Sequence, residues 1–240
     1  MRAAAAALAA AAALAAGAAQ AQGITVDLGG EGGLATRSLQ LIALLTLLSV
    51  APGIAVMITC FPFIVTVLSV LRQGLGLPQS PPNMVIVTLA LFLTWFVMDP
   101  VLTAAWEAGL GPLWRGEMEL QTALMAALGP FRGFMSARID PETFAALAAL
   151  RPDPPADPAT APLSILVPSF LLSEIQRAFE IGFLIYLPFL VIDLVVAAVL
   201  MAMGMMMVPP AMVALPFKLA FFVVADGWAM ISAALVQGYL

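Results

Sequence analysis

Histidine is missing from this chain, and cysteine occurs once, at Cys60. Without imidazole the usual zinc, haem and acid–base constellations have no footing, and one cysteine makes no intrachain disulfide. Cys60 lies in an apolar run and reads as a small buried hydrophobe rather than a reactive thiol. Charge is nearly as scarce. Nine basic and fourteen acidic residues make up 10% of 240 residues, against about 25% in soluble domains. The basic residues are too scattered to neutralise a run of phosphates, which excludes a nucleic-acid partner on electrostatic grounds. Ser169 and Ser173 have no histidine to activate them, and Gly129 and Gly133 form no phosphate loop. No enzyme, metal or cofactor is expected.

What fills the chain instead is hydrocarbon: 63% of residues are hydrophobic, and the mean hydropathy is +1.07. That is too apolar for a soluble fold and too poor in charge for a disordered one. The composition reads as an all-α integral membrane protein.

Residues 1–21 open with Met1-Arg2, continue as an alanine-rich run and close on Ala19-Gln20-Ala21, an A-x-A cleavage pattern. They read as a cleavable signal peptide that directs the N-terminus to the periplasm, with 22–38 a short extracytoplasmic segment. Residues 39–106 hold a first pair of hydrophobic helices. One is a long stretch interrupted at Ala51-Pro52-Gly53 and at Phe61-Pro62, either kinked or broken. The other runs from Met84 to about Trp106, long enough for the roughly 20 residues a span needs.

Residues 107–168 are a polar extracytoplasmic region. From Glu107 to Ala161 four basic residues face seven acidic ones. Short helices are predicted near Leu120–Leu128 and Thr143–Leu150, followed by a flexible or extended Pro-rich connector at 151–162. Residues 169–240 form a second hydrophobic pair. Its spans are expected at Ile181–Met203, after a helix start at Ser169–Arg177, and at Ala211–Leu235, with a Met-rich loop between them.

Charges inside apolar helices carry the most information, because a charged group near a bilayer centre costs at least ~2.5–3.5 kcal/mol and normally faces protein or water. Asp193, Lys218 and Asp226 are in this position. Subunit packing, an ion relay in a small-solute transporter, and snorkelling at a helix end all remain open for them. Asp193 is the expected partner of Lys218. Asp226 falls about two helical turns after Lys218 and would share its face. Asp99, Glu174 and Glu180 read as helix-end or interface charges. The segment Met201–Pro210 is half methionine. Flexible thioethers suit a surface that seals and then yields, although an ordinary greasy turn has the same composition.

Several runs carry a family resemblance. SFLLSEIQRAFEIGF (Ser169–Phe183), IYLPFLVIDLVVAAVLMAMGMMMVPP (Ile185–Pro210) and LPFKLAFFVVADGW (Leu215–Trp228) resemble the FliP family of flagellar export-gate proteins. LRQGLGLPQSPPN (Leu71–Asn83) and ALFLTWFVMDP (Ala90–Pro100) fit the same family. The resemblance implies a non-enzymatic subunit of the type III protein export channel in the bacterial inner membrane and flagellar basal body. It implies kinked helical hairpins assembling, as about five copies with FliQ-like and FliR-like membrane subunits, into a closed cone-shaped pore. FlhA-like and FlhB-like components would be further partners, and unfolded exported proteins the cargo. The family's methionine gasket maps onto Met205, Met206 and Met207, flanked by Met201 and Met203. Its intramembrane-looking charges map onto Glu180, Asp193, Lys218 and Asp226, for which subunit packing is the expected role. Injectisome export gates share this core; the signal peptide favours the flagellar branch.

Overall fold

The computed structural model describes residues 34–77 and 79–239, so the expected signal peptide lies outside the described residues. The chain divides into two units after Ser49. The described part of the first, residues 34–49, belongs to helix α1 (Leu34–Met57), which continues into the second unit through Pro52. All regular structure among the described residues is helical.

The break that the sequence left open falls before Phe61-Pro62 rather than at Pro52. Three residues separate α1 from α2 (Phe61–Gly74). The Thr59 hydroxyl donates to the Val56 carbonyl at 2.6 Å and accepts from the Phe61 N–H at 3.3 Å. Pro62 then sits in the first turn, where its missing N–H costs nothing. Helix α2 is the centre of the second unit. Phe63, Ile64, Val67, Leu68 and Leu71 recur at helical spacing and are buried, mainly against α7 (Leu163–Ala202) and α3 (Asn83–Ala105). Cys60 is buried with them, as its setting predicted.

Helix α3 passes through a π turn at Trp106–Leu110 into the short α4 (Gly111–Trp114), giving one helical run of 32 residues whose most apolar stretch of 18 has a mean hydropathy of 2.1. The polar region that follows folds as two helices, α5 (Leu120–Ser136) and α6 (Pro141–Ala148). α5 runs past the expected end near Leu128, taking Pro130 into its interior. α6 has a built N-terminus. Pro141 opens it, and Asp140 accepts from the Thr143 N–H at 2.8 Å and the Thr143 hydroxyl at 2.9 Å. Those bonds, the backbone one first, hold the Asp140 carboxyl below the usual carboxylate range. The Pro-rich tract forms turns and is tied down at its end, where Arg132 donates to the Ala161 carbonyl at 2.5 Å.

Helix α7 starts six residues before the expected Ser169 and runs unbroken for 40 residues through Pro168 and Pro188. At 1.5 Å per residue that is about 60 Å, twice a hydrocarbon core of about 30 Å. The stretch expected as a fourth span is built as two helices, α8 (Pro210–Val224) and α9 (Gly227–Gln237). They meet at 61°, and Asp226 at the corner adopts a left-handed φ of 48°. Gly227 is required there, since a Cβ would lie 2.2 Å from the Phe222 ring. Two helical runs are long and apolar enough to cross a membrane, or up to four if each bent pair is one span.

Candidate functional site: a methionine tip and two buried ion pairs

The tip between α7 and α8 is closed by backbone hydrogen bonds. The Met205 N–H donates to the Leu200 carbonyl at 2.9 Å, and the Gly204 N–H to the Met201 carbonyl at 3.0 Å. With Gly204 at a φ of 73° this is a Schellman termination, which needs a residue free to adopt the left-handed conformation. Pro209 and Pro210 then start α8. Between these two fixed ends the five methionines point outward: Met201, Met203 and Met205 are exposed, Met206 is 84% exposed and Met207 98%. Below them an apolar groove of about 540 Å³ runs along the hairpin, lined by Val195, Val199, Met203, Met205, Val213 and Phe217 among others. The tip therefore offers flexible apolar side chains on a backbone that is itself held.

Further along the same hairpin, Lys218 of α8 is buried and donates to Asp193 Oδ2 of α7 at 2.5 Å. Its ammonium also donates to the Gly74 carbonyl at the end of α2, at 3.1 Å. Three helices thus meet on one cation, and the pairing expected from sequence lies within one chain. Asp226 does not join it. The expectation that Asp226 shares a face with Lys218 assumed a continuous helix; α8 stops at Val224, and the bend leaves Asp226 exposed at the corner. Glu180 is exposed on α7 and accepts from Gln176 one turn back at 3.2 Å.

A second buried pair was not legible beforehand. Glu174, read from sequence as a helix-end or interface charge, lies in the interior of α7 and is fully buried. Arg138, between α5 and α6, donates through Nε to Glu174 Oε1 at 3.0 Å. The Tyr239 hydroxyl donates to the other carboxylate oxygen. Arg138 also stacks over the Tyr239 ring, 3.8 Å from its centroid, and donates to the Gly238 carbonyl at 3.0 Å. Ser173 adds a link by accepting from the Asp140 N–H at 2.9 Å. This cluster ties the polar region and the segment after α9 to the middle of α7. The only sequence signal was the polar run Ser173–Arg177 inside an otherwise apolar stretch. Among the described residues no group of three or more acidic, cysteine or histidine side chains could hold a metal ion.

Long apolar helices, ion pairs between them and an exposed apolar tip define a helical membrane protein. The FliP family model matches residues 44–235. The chain is 49% identical to the flagellar biosynthetic protein FliP of Caulobacter vibrioides over 90% of its own length and 82% of that protein. It is 45% identical to the protein of the same name in Agrobacterium fabrum, over 87% of this chain and 86% of that one. For the Bacillus subtilis protein of that name the identity is 44%, over 85% and 93%. The chain belongs to the FliP family.

Proposed function

We propose that this chain is the core structural subunit of a flagellar type III protein export gate in the bacterial inner membrane. In this reading about five copies assemble with FliQ-like and FliR-like subunits into a closed helical cone. FlhA-like and FlhB-like components stand beside it in the basal body, and unfolded proteins pass through. The chain does no chemistry of its own. Family membership supports the flagellar setting, since the relatives are flagellar biosynthetic proteins.

The observation that carries the channel reading is the methionine tip. Side chains as apolar as Met206 and Met207 gain nothing from facing water. Brought together around an axis they would close a lumen, and their flexibility would let a polypeptide through. An α7 about 60 Å long also carries part of the hairpin beyond one hydrocarbon core, as a cone rising above the membrane requires. The Lys218–Asp193 pair, neutralised within the chain and shared with Gly74, supports packing over an ion relay.

The test is conductance. Changing Met205, Met206 and Met207 together to Ala in the assembled complex is expected to let ions leak through lipid bilayers containing it, while complex yield stays unchanged. An intact triple-Ala complex as tight as the parent would remove the gasket from this reading.

A further inference from the structure

One face of α3 is left with a charge that the chain does not answer. Val85, Thr88, Phe92, Trp95, Phe96 and Asp99 recur at spacings of three and four residues and are all exposed. The opposite face, through Ile86, Ala90, Val97 and Met98, is buried in the core with α2. Among the described residues nothing hydrogen-bonds or ion-pairs with the Asp99 carboxylate. It lies about 24 Å along the helix from Asn83 at 1.5 Å per residue, within the 32-residue helical run. Pro100 has no N–H to offer the Phe96 carbonyl one turn back. A carboxylate and an under-used carbonyl therefore stand together among three exposed aromatic rings.

That arrangement suits neither acyl chains nor an uncharged protein surface, because an ionised side chain in an apolar membrane face needs a partner of opposite charge. A guanidinium or ammonium would satisfy both acceptors and sit well against the rings of Trp95 and Phe96. A second copy of this chain is a poor source of it. Among the basic side chains described, Lys218 is held by Asp193, Arg72 by Asn83, Arg115 by Glu117, Arg132 by Ala161 and Arg138 by Glu174, while the exposed Arg151, which donates to Ser164 at 3.4 Å, stands in the Pro-rich tract outside the apolar helices. Arg177 is half-buried in a groove with Phe63, Ile181 and Leu235.

We infer that this face of α3 is covered, in the assembled protein, by an apolar membrane helix of a different polypeptide that carries a lysine or arginine opposite Asp99. The inference rests on the export-gate reading for the existence of partner subunits, and adds where one of them docks and by what charge.

The test places a photo-crosslinking phenylalanine analogue at Phe92 in the full chain, in native membranes with its partner subunits. Crosslinks are expected to a peptide of another subunit that is apolar, helical in length and carries a Lys or Arg. Asp99→Lys should lower recovery of that subunit with the chain by at least about tenfold, since like charges brought together cost several kcal/mol. Reversing the partner's basic residue to Glu should restore it. Asp99→Asn, which keeps the shape of the side chain, should give a smaller loss and serves if the Lys variant does not accumulate. Crosslinks only to lipid or to a second copy, or undiminished recovery in both variants, would overturn the inference. If the wild-type complex forms and these results still follow, this inference alone fails; if no complex forms around the wild-type chain, the export-gate reading fails with it.

Discussion

Replacing Asp193 by Asn keeps the volume of the side chain and removes its charge. Lys218 then keeps the Gly74 carbonyl and at best a neutral amide oxygen at position 193, with no counter-charge, at a site where its side chain is 5% exposed. Breaking a buried ion pair from one side costs about 3–5 kcal/mol, mostly as the penalty for the charge left behind. The Asp193 side chain is 32% exposed, and the solvent it already sees places the cost at the lower end, about 3 kcal/mol. At about 2–4 °C per kcal/mol for a chain of this size, the melting temperature in detergent should fall by about 6–12 °C. Lys218→Met, which strands the carboxylate instead, should cost less, about 2 kcal/mol, because that group is 32% exposed and already meets solvent. The decisive variant is the double one. With both charges gone no ion is stranded, and the loss should be about 1 kcal/mol or less, a coupling of several kcal/mol between the sites. The assay is thermal unfolding of the purified full chain followed by tryptophan fluorescence. Single losses that add to within about 0.5 kcal/mol in the double variant would show that the two residues do not act as a pair.

Glu174 is fully buried with two partners, so Glu174→Ala should destabilise the chain by about 3–5 kcal/mol; protease sensitivity of the segment after α9 checks this, and unchanged resistance would contradict it. Gly204→Ala forces a Cβ into the left-handed region at the tip and should cost about 1–2 kcal/mol, read as faster amide exchange at Met205. For Asp140 the folded carboxyl titrates below its ordinary range. Its contribution is present above the unfolded value of about 3.9 and lost as pH falls through the lower folded one. Amide exchange at Thr143 should therefore stay protected near neutrality and rise only in acid; in Asp140→Ala protection should already be missing at pH 7.

The sequence made some of these features readable and hid others for physical reasons. Membrane class follows from composition alone, because so little charge leaves no other solvent for the fold. The Lys218–Asp193 pairing was legible because two lone charges in neighbouring apolar helices have few other choices. The bend at Asp226 was not: Ala225, Asp226 and Gly227 sit between apolar runs that would make one helix of sufficient length, and only the ring of Phe222 against Gly227 explains the corner. Glu174 was hidden for a different reason. Its partners Arg138 and Tyr239 lie 36 and 65 residues away in the chain, and no local spacing links a charge in a polar loop to one inside an apolar helix. The exposed face of α3 was masked by its own uniformity, since both sides of the helix are apolar and only burial separates them.

The most direct test of the proposed export-gate reading is the intact mass recovered when this chain is co-expressed with FliQ-like and FliR-like membrane proteins and released in mild detergent. The expected mass corresponds to about five copies of this chain with fewer copies of a distinct partner. A monomer, or a homodimer that retains no partner, would contradict the export-gate reading and leave the methionine tip without an axis to close.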